Sequence, residues 1–464
     1  MASPSSISPF ILFLSLFFFT HLCTTQLTVD AANKEYLKLP LLHTTPFPSP
    51  TQALSLDTHR LSHLFASSLH RKKVKSRPPL RSPVVSGASF GSGQYFADLR
   101  LGSPPQSLLL VADTGSDLVW IKCSACRNCS LHAPGTAFFA RHSSTFSPFH
   151  CYDSECRLVP HASRAEPCKH TRLHTPCRYE YSYADGSLTT GFFSRETTML
   201  NTSSGREAKL KNLAFGCGFR ISGPSLSGAS FNGAQGVMGL GRGSISFSSQ
   251  LGRRFGNKFS YCLMDYTLSP PPTSYLMIGG AAKDVSKKLR MKFTPLLVNP
   301  LSPTFYYIRI RSVFVNNKKL RIDPSVWSID ESGNGGTIID SGTTLTFLAE
   351  PAYGQILTAF RRTMKMPLSR ELTPGFDLCF NETGLSRPSF PRLRFELAGD
   401  SVFAPPPTNY FIDTEAGVKC LAIQPVNQET GFSVIGNLMQ QGFLLEFDRD
   451  GSRLGFSRRG CSVP

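Results

Sequence analysis

Apolar positions along this chain come in short runs divided by turn residues, and from Val84 onward that rhythm continues to the C-terminus. GQYFADLRLGSPPQSLLLVADTG, residues 93–115, reads as a strand, a Gly-Ser-Pro-Pro turn and a second strand. Helical periodicity is scarce. PAYGQILTAFRRTM, Pro351 to Met364, is the best case, with Pro in its first turn. The pattern predicts an all-β protein with minor helix. Residues 26–83 lack strand alternation and end in HRKKVKSRPPLRSP, a solvated basic stretch expected to be exposed and cleavable.

One apolar run holds a carboxylate. In LLLVADTGSDLVWIKC, Leu108 to Cys123, Asp113 stands between strand-like segments. An ionised Asp taken out of water costs several kcal/mol unless partners compensate it. Thr114, Gly115 and Ser116 supply two hydroxyls and an open backbone, so the carboxylate looks held on purpose. GTIIDSGTTLTFL, Gly336 to Leu348, repeats the design around Asp340, with Ser341, Gly342 and Thr343 beside it, 227 positions later. A second element also recurs: GVMGLG, Gly236 to Gly241, follows the first Asp, and FSVIGN, Phe432 to Asn437, follows the second. In each, a Gly lets a neighbouring backbone approach closely. The chain reads as two lobes of one plan, each offering one Asp.

Size and composition fit that plan. At 464 residues the chain exceeds what one core usually fills. The formal charge is +18, of which the segment 26–83 carries +6, leaving about +12. Downstream Lys and Arg are scattered singly, so no nucleic-acid partner is expected. FILFLSLFFFTHLC, Phe10 to Cys23, has signal-peptide length and is short for a membrane span of about 20 residues. The expected order is a signal peptide (1–25), a propeptide (26–83), an N-terminal lobe (84–290) and a C-terminal lobe (291–464). The expected fate is secretion to the extracellular space, with vacuole or plastid as alternatives, and no stable membrane anchor. Thirteen cysteines, one in the leader, leave twelve, an even number that suits disulfides in an oxidising compartment. Asn128, Asn201 and Asn381 open glycosylation sequons.

From about Ser92 to Cys461 the sequence resembles the pepsin-like aspartic proteases, and more closely their plant nepenthesin-like branch. QYFADLRLGSPPQ looks like that family's first hairpin, and Trp120, seven after Asp113, matches its usual Trp. YEYSYADGSLTTGFFSRET, Tyr179 to Thr197, is similar to the flap and would make Tyr183 the flap tyrosine. LLEFDRDGSRLGF, Leu444 to Phe456, matches the penultimate hairpin. The resemblance implies a bilobal acid-protease fold of two β-barrel-like lobes with an active-site cleft between them. It makes Asp113 and Asp340 the catalytic pair. Ser116 and Thr343 would bond their outer oxygens, and Thr114 and Ser341 would reach across to the opposite lobe. Like charges a few ångströms apart share one proton, so the pair activates a water without metal or other cofactor; pepsin's dyad is the standard illustration. It also implies disulfides Cys123–Cys126, Cys129–Cys217, Cys151–Cys177 enclosing Cys156–Cys168, Cys262–Cys461 and Cys379–Cys420.

Other motifs point elsewhere. CSACRNC has ligand spacing for zinc or an iron–sulfur cluster, against which stand the leader and the other cysteines. GASFG around Ser89 has no strand before it and no helix after it, as a serine-hydrolase elbow requires. GLGRGSIS lacks the Lys of a phosphate loop. The expected function is a monomeric acid endopeptidase made as a zymogen, acting on protein or peptide substrates, its basic propeptide plugging an acidic cleft. The alternative is a non-catalytic binding protein on the same fold, such as a glycan-hydrolase inhibitor.

Overall fold

The computed structural model describes residues 36–42, 49–69 and 94–462, except 125–135, 162–167, 169–173, 183–187, 203–204, 223–233, 266, 269–271, 280–287, 370–372, 386–387 and 427–430. The leader, Cys126, Asn128, Cys129 and Tyr183 therefore lie outside the described residues.

Strands dominate. Strands β2 (Phe96–Leu101) and β3 (Gln106–Asp113) form the expected hairpin, in register from Phe96 opposite Val111 to Leu101 opposite Gln106. The strand Gly236–Gly239 runs parallel to β3, with Gly239 opposite Asp113, and antiparallel to β4 (Trp120–Ser124). The second half repeats this. Ser433–Ile435 runs parallel to Thr337–Ile339, while Val434 faces Phe347 of an antiparallel strand. The recurrent glycines permit the crossing: a Cβ on Gly236 would collide with the Trp120 carbonyl, and one on Gly436 with that of Leu345. Each Asp thus sits at the end of a central strand, on a loop held by a third strand.

The two lobes also share a sheet. Near the C-terminus, Leu444–Asp448 pairs with Lys258–Cys262 of the first half, bringing Phe447 opposite Phe259 with their rings stacked 4.5 Å apart. The expected helix forms over Ala352–Thr363 and buries Ala352, Tyr353, Ile356 and Phe360 on one face.

Where residues 26–83 are described, over 36–42 and 49–69, they form regular elements that their sequence pattern does not suggest. Strand β1 (Leu37–Leu42) inserts between β2 and Ser274–Ile278, burying Leu37, Leu39 and Leu41. A twenty-residue helix, α1 (Pro50–Leu69), follows. Among its described side chains the buried ones, Ala53, Asp57, Arg60, Leu61 and Leu64, fall at helical spacing on one face.

Two expected disulfide arrangements are corrected. Cys123 pairs with Cys217, not with Cys126, because β4 runs parallel to Glu207–Ser222 with Ile121 opposite Cys217. In the segment after it, Cys151 pairs with Cys168 and Cys156 with Cys177, so the bridges cross instead of nesting. Cys156 and Cys177 share a buried apolar cluster with Tyr179, which brings them together. Cys262–Cys461 and Cys379–Cys420 are both present.

Candidate active site

Asp113 and Asp340 are fully buried, and their loops mirror one another. Oδ1 of Asp113 accepts from the Gly115 N–H at 3.0 Å and Oδ2 from the Ser116 hydroxyl at 2.6 Å. Oδ1 of Asp340 accepts from the Gly342 N–H at 3.0 Å and Oδ2 from the Thr343 hydroxyl at 2.6 Å. These are the bonds expected of charged acceptors, short and directed. Glycine is required at both turns: a Cβ on Gly342 would press on Asp113 Oδ1.

The loops interlock across the lobes. Ser341 N–H donates to the Thr114 hydroxyl at 2.9 Å, and Thr114 N–H donates to the Ser341 hydroxyl at 3.1 Å. The Ser341 hydroxyl in turn donates to the Ala112 carbonyl at 2.9 Å. Gln440 supports the second loop from below, giving Nε2–H to the carbonyls of Asp340 and Ile435 at 3.1 and 2.8 Å.

A guanidinium lies between the carboxylates. Nη2 of Arg60, on α1, donates to Asp113 Oδ1 at 3.1 Å and to Asp340 Oδ2 at closer range. Its Nε donates to the Thr343 hydroxyl at 2.7 Å and to Asp340 Oδ2 at 3.1 Å. The two carboxylates are therefore near enough for one nitrogen to bridge them. Burial works to lower the Arg60 pKa, but the neighbouring charges of Asp340 and Asp113 win and hold it above its ordinary value.

One turn earlier on α1, Asp57 is 1% exposed and binds the backbone just past the second Asp. Oδ1 accepts from Thr344 N–H at 3.0 Å and Oδ2 from Leu345 N–H at 2.5 Å. Burial pushes its carboxyl up to about 7, against the opposing pull of those two amides and of Arg60. Leu61 and Leu64 of the same helix are buried in a cluster with Phe305, Tyr307, Phe376 and Phe432. Another buried acid, Asp117, ties the lobes together. It accepts from Gly243 N–H at 2.7 Å and from the Thr304 hydroxyl at 2.8 Å, and burial raises its pKa.

Sequence reasoning brought Asp113, Asp340 and their immediate neighbours to one place. It missed Arg60, Asp57, Asp117 and Gln440. Asp117 lay within the first motif, where a second buried acid was a usable signal. Trp120 is fully buried in an apolar cluster with Val111 and Tyr179. Asn381 is exposed; Asn201, also exposed, accepts a hydrogen bond from Arg100 at 2.9 Å.

Known proteins share this architecture. Residues 95–280 match a family model described as xylanase inhibitor N-terminal, and residues 305–458 match xylanase inhibitor C-terminal. Aspartyl protease family protein 2 of Arabidopsis thaliana is 38% identical over 428 residues, covering 90% of this chain and 82% of the relative. Aspartic proteinase nepenthesin-2 of Nepenthes gracilis is 34% identical over 391 residues, covering 84% and 82%. Two solved structures share the fold: edgp, with a TM-score of 0.66 at 22% identity over 92% of this chain and 97% of that one, and basic 7S globulin from soybean, with 0.61 at 21% over 79% and 91%. The fold is thus that of the pepsin-like proteins, built as two lobes. The chain belongs to the pepsin-like aspartic proteases, in their plant nepenthesin-like branch.

Proposed function

We propose that this protein is a secreted aspartic endopeptidase made as a zymogen, with Asp113 and Asp340 as its catalytic pair. The observation that carries the reading is the mirrored pair of loops, each giving its carboxylate one amide and one hydroxyl partner, with a single cation spanning both. Arg60 neutralises two acids that would otherwise repel, and occupies the space a substrate bond and its water would need. Once α1 leaves, the facing carboxyl groups hold one proton between them. The ionised member takes a proton from a water, which attacks the peptide carbon. The protonated member hydrogen-bonds the carbonyl oxygen, and the tetrahedral diol collapses as a proton passes to the leaving nitrogen. In this reading Tyr183 closes over the substrate as a lid. The segment 26–83 is the propeptide, and Arg60 is its inhibitory cation; the basic run 70–77 lies outside the described residues.

A second reading is a pepsin-fold binding protein without catalysis. It is favoured by the family model's description, xylanase inhibitor. One assay separates the two. Processed protein should cleave acid-denatured haemoglobin or casein at acid pH, and Asp113→Asn and Asp340→Asn should each lower the rate by at least about a hundredfold, the ordinary scale of acid–base catalysis. Undiminished cleavage by either variant rules out the dyad; no cleavage by the wild-type protein favours the binding reading.

A further inference from the structure

Each aspartate is also held through its own backbone carbonyl, and each hold is anchored in the opposite half of the chain. The Asp113 carbonyl accepts from the Leu240 N–H at 2.7 Å. The Leu240 carbonyl accepts from the Tyr306 hydroxyl at 2.8 Å, with the Ser248 hydroxyl farther off at 3.5 Å. Tyr306 belongs to the second half, where its carbonyl accepts at 3.1 Å from the N–H of Ile339, the residue before Asp340. On the other side, Gln440 holds the Asp340 carbonyl, and its Oε1 accepts at 2.5 Å from the Tyr261 hydroxyl, on the first-half strand Lys258–Cys262. Both tyrosines are fully buried, and both rings pack on Phe447, with centroids 5.5 Å (Tyr261) and 4.5 Å (Tyr306) away. We propose that Tyr261 and Tyr306 are positioning residues for the aspartate pair, their hydroxyls setting the spacing of the two carboxyl groups from one shared aromatic cluster. The inference rests on the protease reading.

The reaction gives that spacing its importance. Two carboxyl groups share a proton only while their facing oxygens stay close, and here the two stand on separate lobes. A displacement of about 1 Å can cost a hundredfold in rate. The interlock of Thr114 with Ser341 joins the loops at their tips; the tyrosine tethers act behind them, at the carbonyls of the aspartates themselves. A phenol suits the task, because a rigid ring with two torsions carries its hydroxyl to a fixed point. The shared ring, Phe447, stacks on Phe259 where strands of the two halves pair, so both tethers start from the seam between the lobes. Removing a hydroxyl loosens one tether. Without Tyr306 Oη, the Leu240 carbonyl keeps only the long Ser248 bond; without Tyr261 Oη, the buried Gln440 Oε1 loses its phenol donor.

The test is kcat and KM of processed Tyr261→Phe and Tyr306→Phe on one peptide, beside the denaturation midpoint of each. Both substitutions keep the ring and its packing. Each should lower kcat by about tenfold, within the range that misplaced reacting groups cost, and leave KM unchanged. The loss should be larger in Tyr261→Phe, because Ser248 still reaches the Leu240 carbonyl in the other variant. Tyr275→Phe is the control: its hydroxyl donates to the Gly460 carbonyl at 2.9 Å, a buried bond of the same kind in a separate apolar cluster. It should lower the midpoint by a similar amount and leave kcat as it was. Unchanged kcat in either variant overturns the assignment of that tyrosine. An equal loss in Tyr275→Phe overturns both, since the loss is then one of general stability. Failure of both variants to fold also overturns the proposal, because the hydroxyls then serve folding alone. If the wild-type protein does not cut, the protease reading falls and the proposal with it.

Discussion

At the scale of single residues, Arg60 has the largest lever. Removing one partner of a buried ion pair leaves an uncompensated charge and costs about 3–5 kcal/mol. Arg60→Ala leaves two buried carboxylates facing each other, so α1 should dock poorly. The unprocessed variant should cleave denatured haemoglobin without the lag of the wild-type chain, while Arg60→Lys, which keeps the charge, should retain most of the delay. An unchanged lag in Arg60→Ala would show that Arg60 does not hold the enzyme latent. The interlock of Thr114 with Ser341 offers a second measurement. Thr114→Ala strips the acceptor from a buried Ser341 N–H, at about 1–3 kcal/mol. Because the two residues exchange bonds, the double variant with Ser341→Ala should be less destabilised than the sum, by about 1 kcal/mol in a denaturation cycle. Asp113 and Asp340 were legible because each motif explains the other. Arg60 was not, since its partner Asp340 lies 280 positions away and nothing near either residue announces the pair.

Elements were legible where one physical rule dominated. The β2–β3 hairpin, the helix over Ala352–Thr363 and the repeated central strands follow from alternation, turns and apolar periodicity. Helix α1 escaped because two of the buried positions described on it, Asp57 and Arg60, are charged, so its apolar stripe looks broken. They are tolerated inside because the helix carries its polar groups to waiting partners, Asp113 on the first lobe and the loop from Asp340 to Leu345 on the second. Strand β1 escaped because Pro40 interrupts it; a Pro argues against an inner strand, yet here it pairs opposite Tyr275 with its ring exposed. The Cys123–Cys217 bridge depended on strand register, which cysteine spacing does not encode. The docking of α1 is testable at its apolar end. Leu64 is fully buried, and Leu64→Ala should weaken the packing by about 2–5 kcal/mol. Limited proteolysis at neutral pH should then clip the α1 segment faster than in the wild-type chain, and equal rates would show that the leucine does not hold the helix down.

For the molecule as a whole, Asp57 makes the docking of α1 depend on pH. Its docked carboxyl is raised from 3.8 to about 7, chiefly by burial, with the Leu345 and Thr344 amides and Arg60 opposing. The docked state therefore binds a proton more tightly than the free helix does. That stabilisation is fully present below the unperturbed value and is lost as pH rises through about 7. Acidifying from neutral thus tightens the Asp57 contact, by an amount on the order of a few kcal/mol across the window. Arg60 stays charged throughout. Its bridge to Asp113 and Asp340 is the second contact that holds the helix. Hydrogen exchange of α1, corrected for intrinsic rates, should show protection falling between pH 6 and 8 in the wild-type chain, with that fall absent in Asp57→Asn. A wild-type profile flat from pH 6 to 8 would remove Asp57 from the account and leave the contacts of Arg60 to hold the helix.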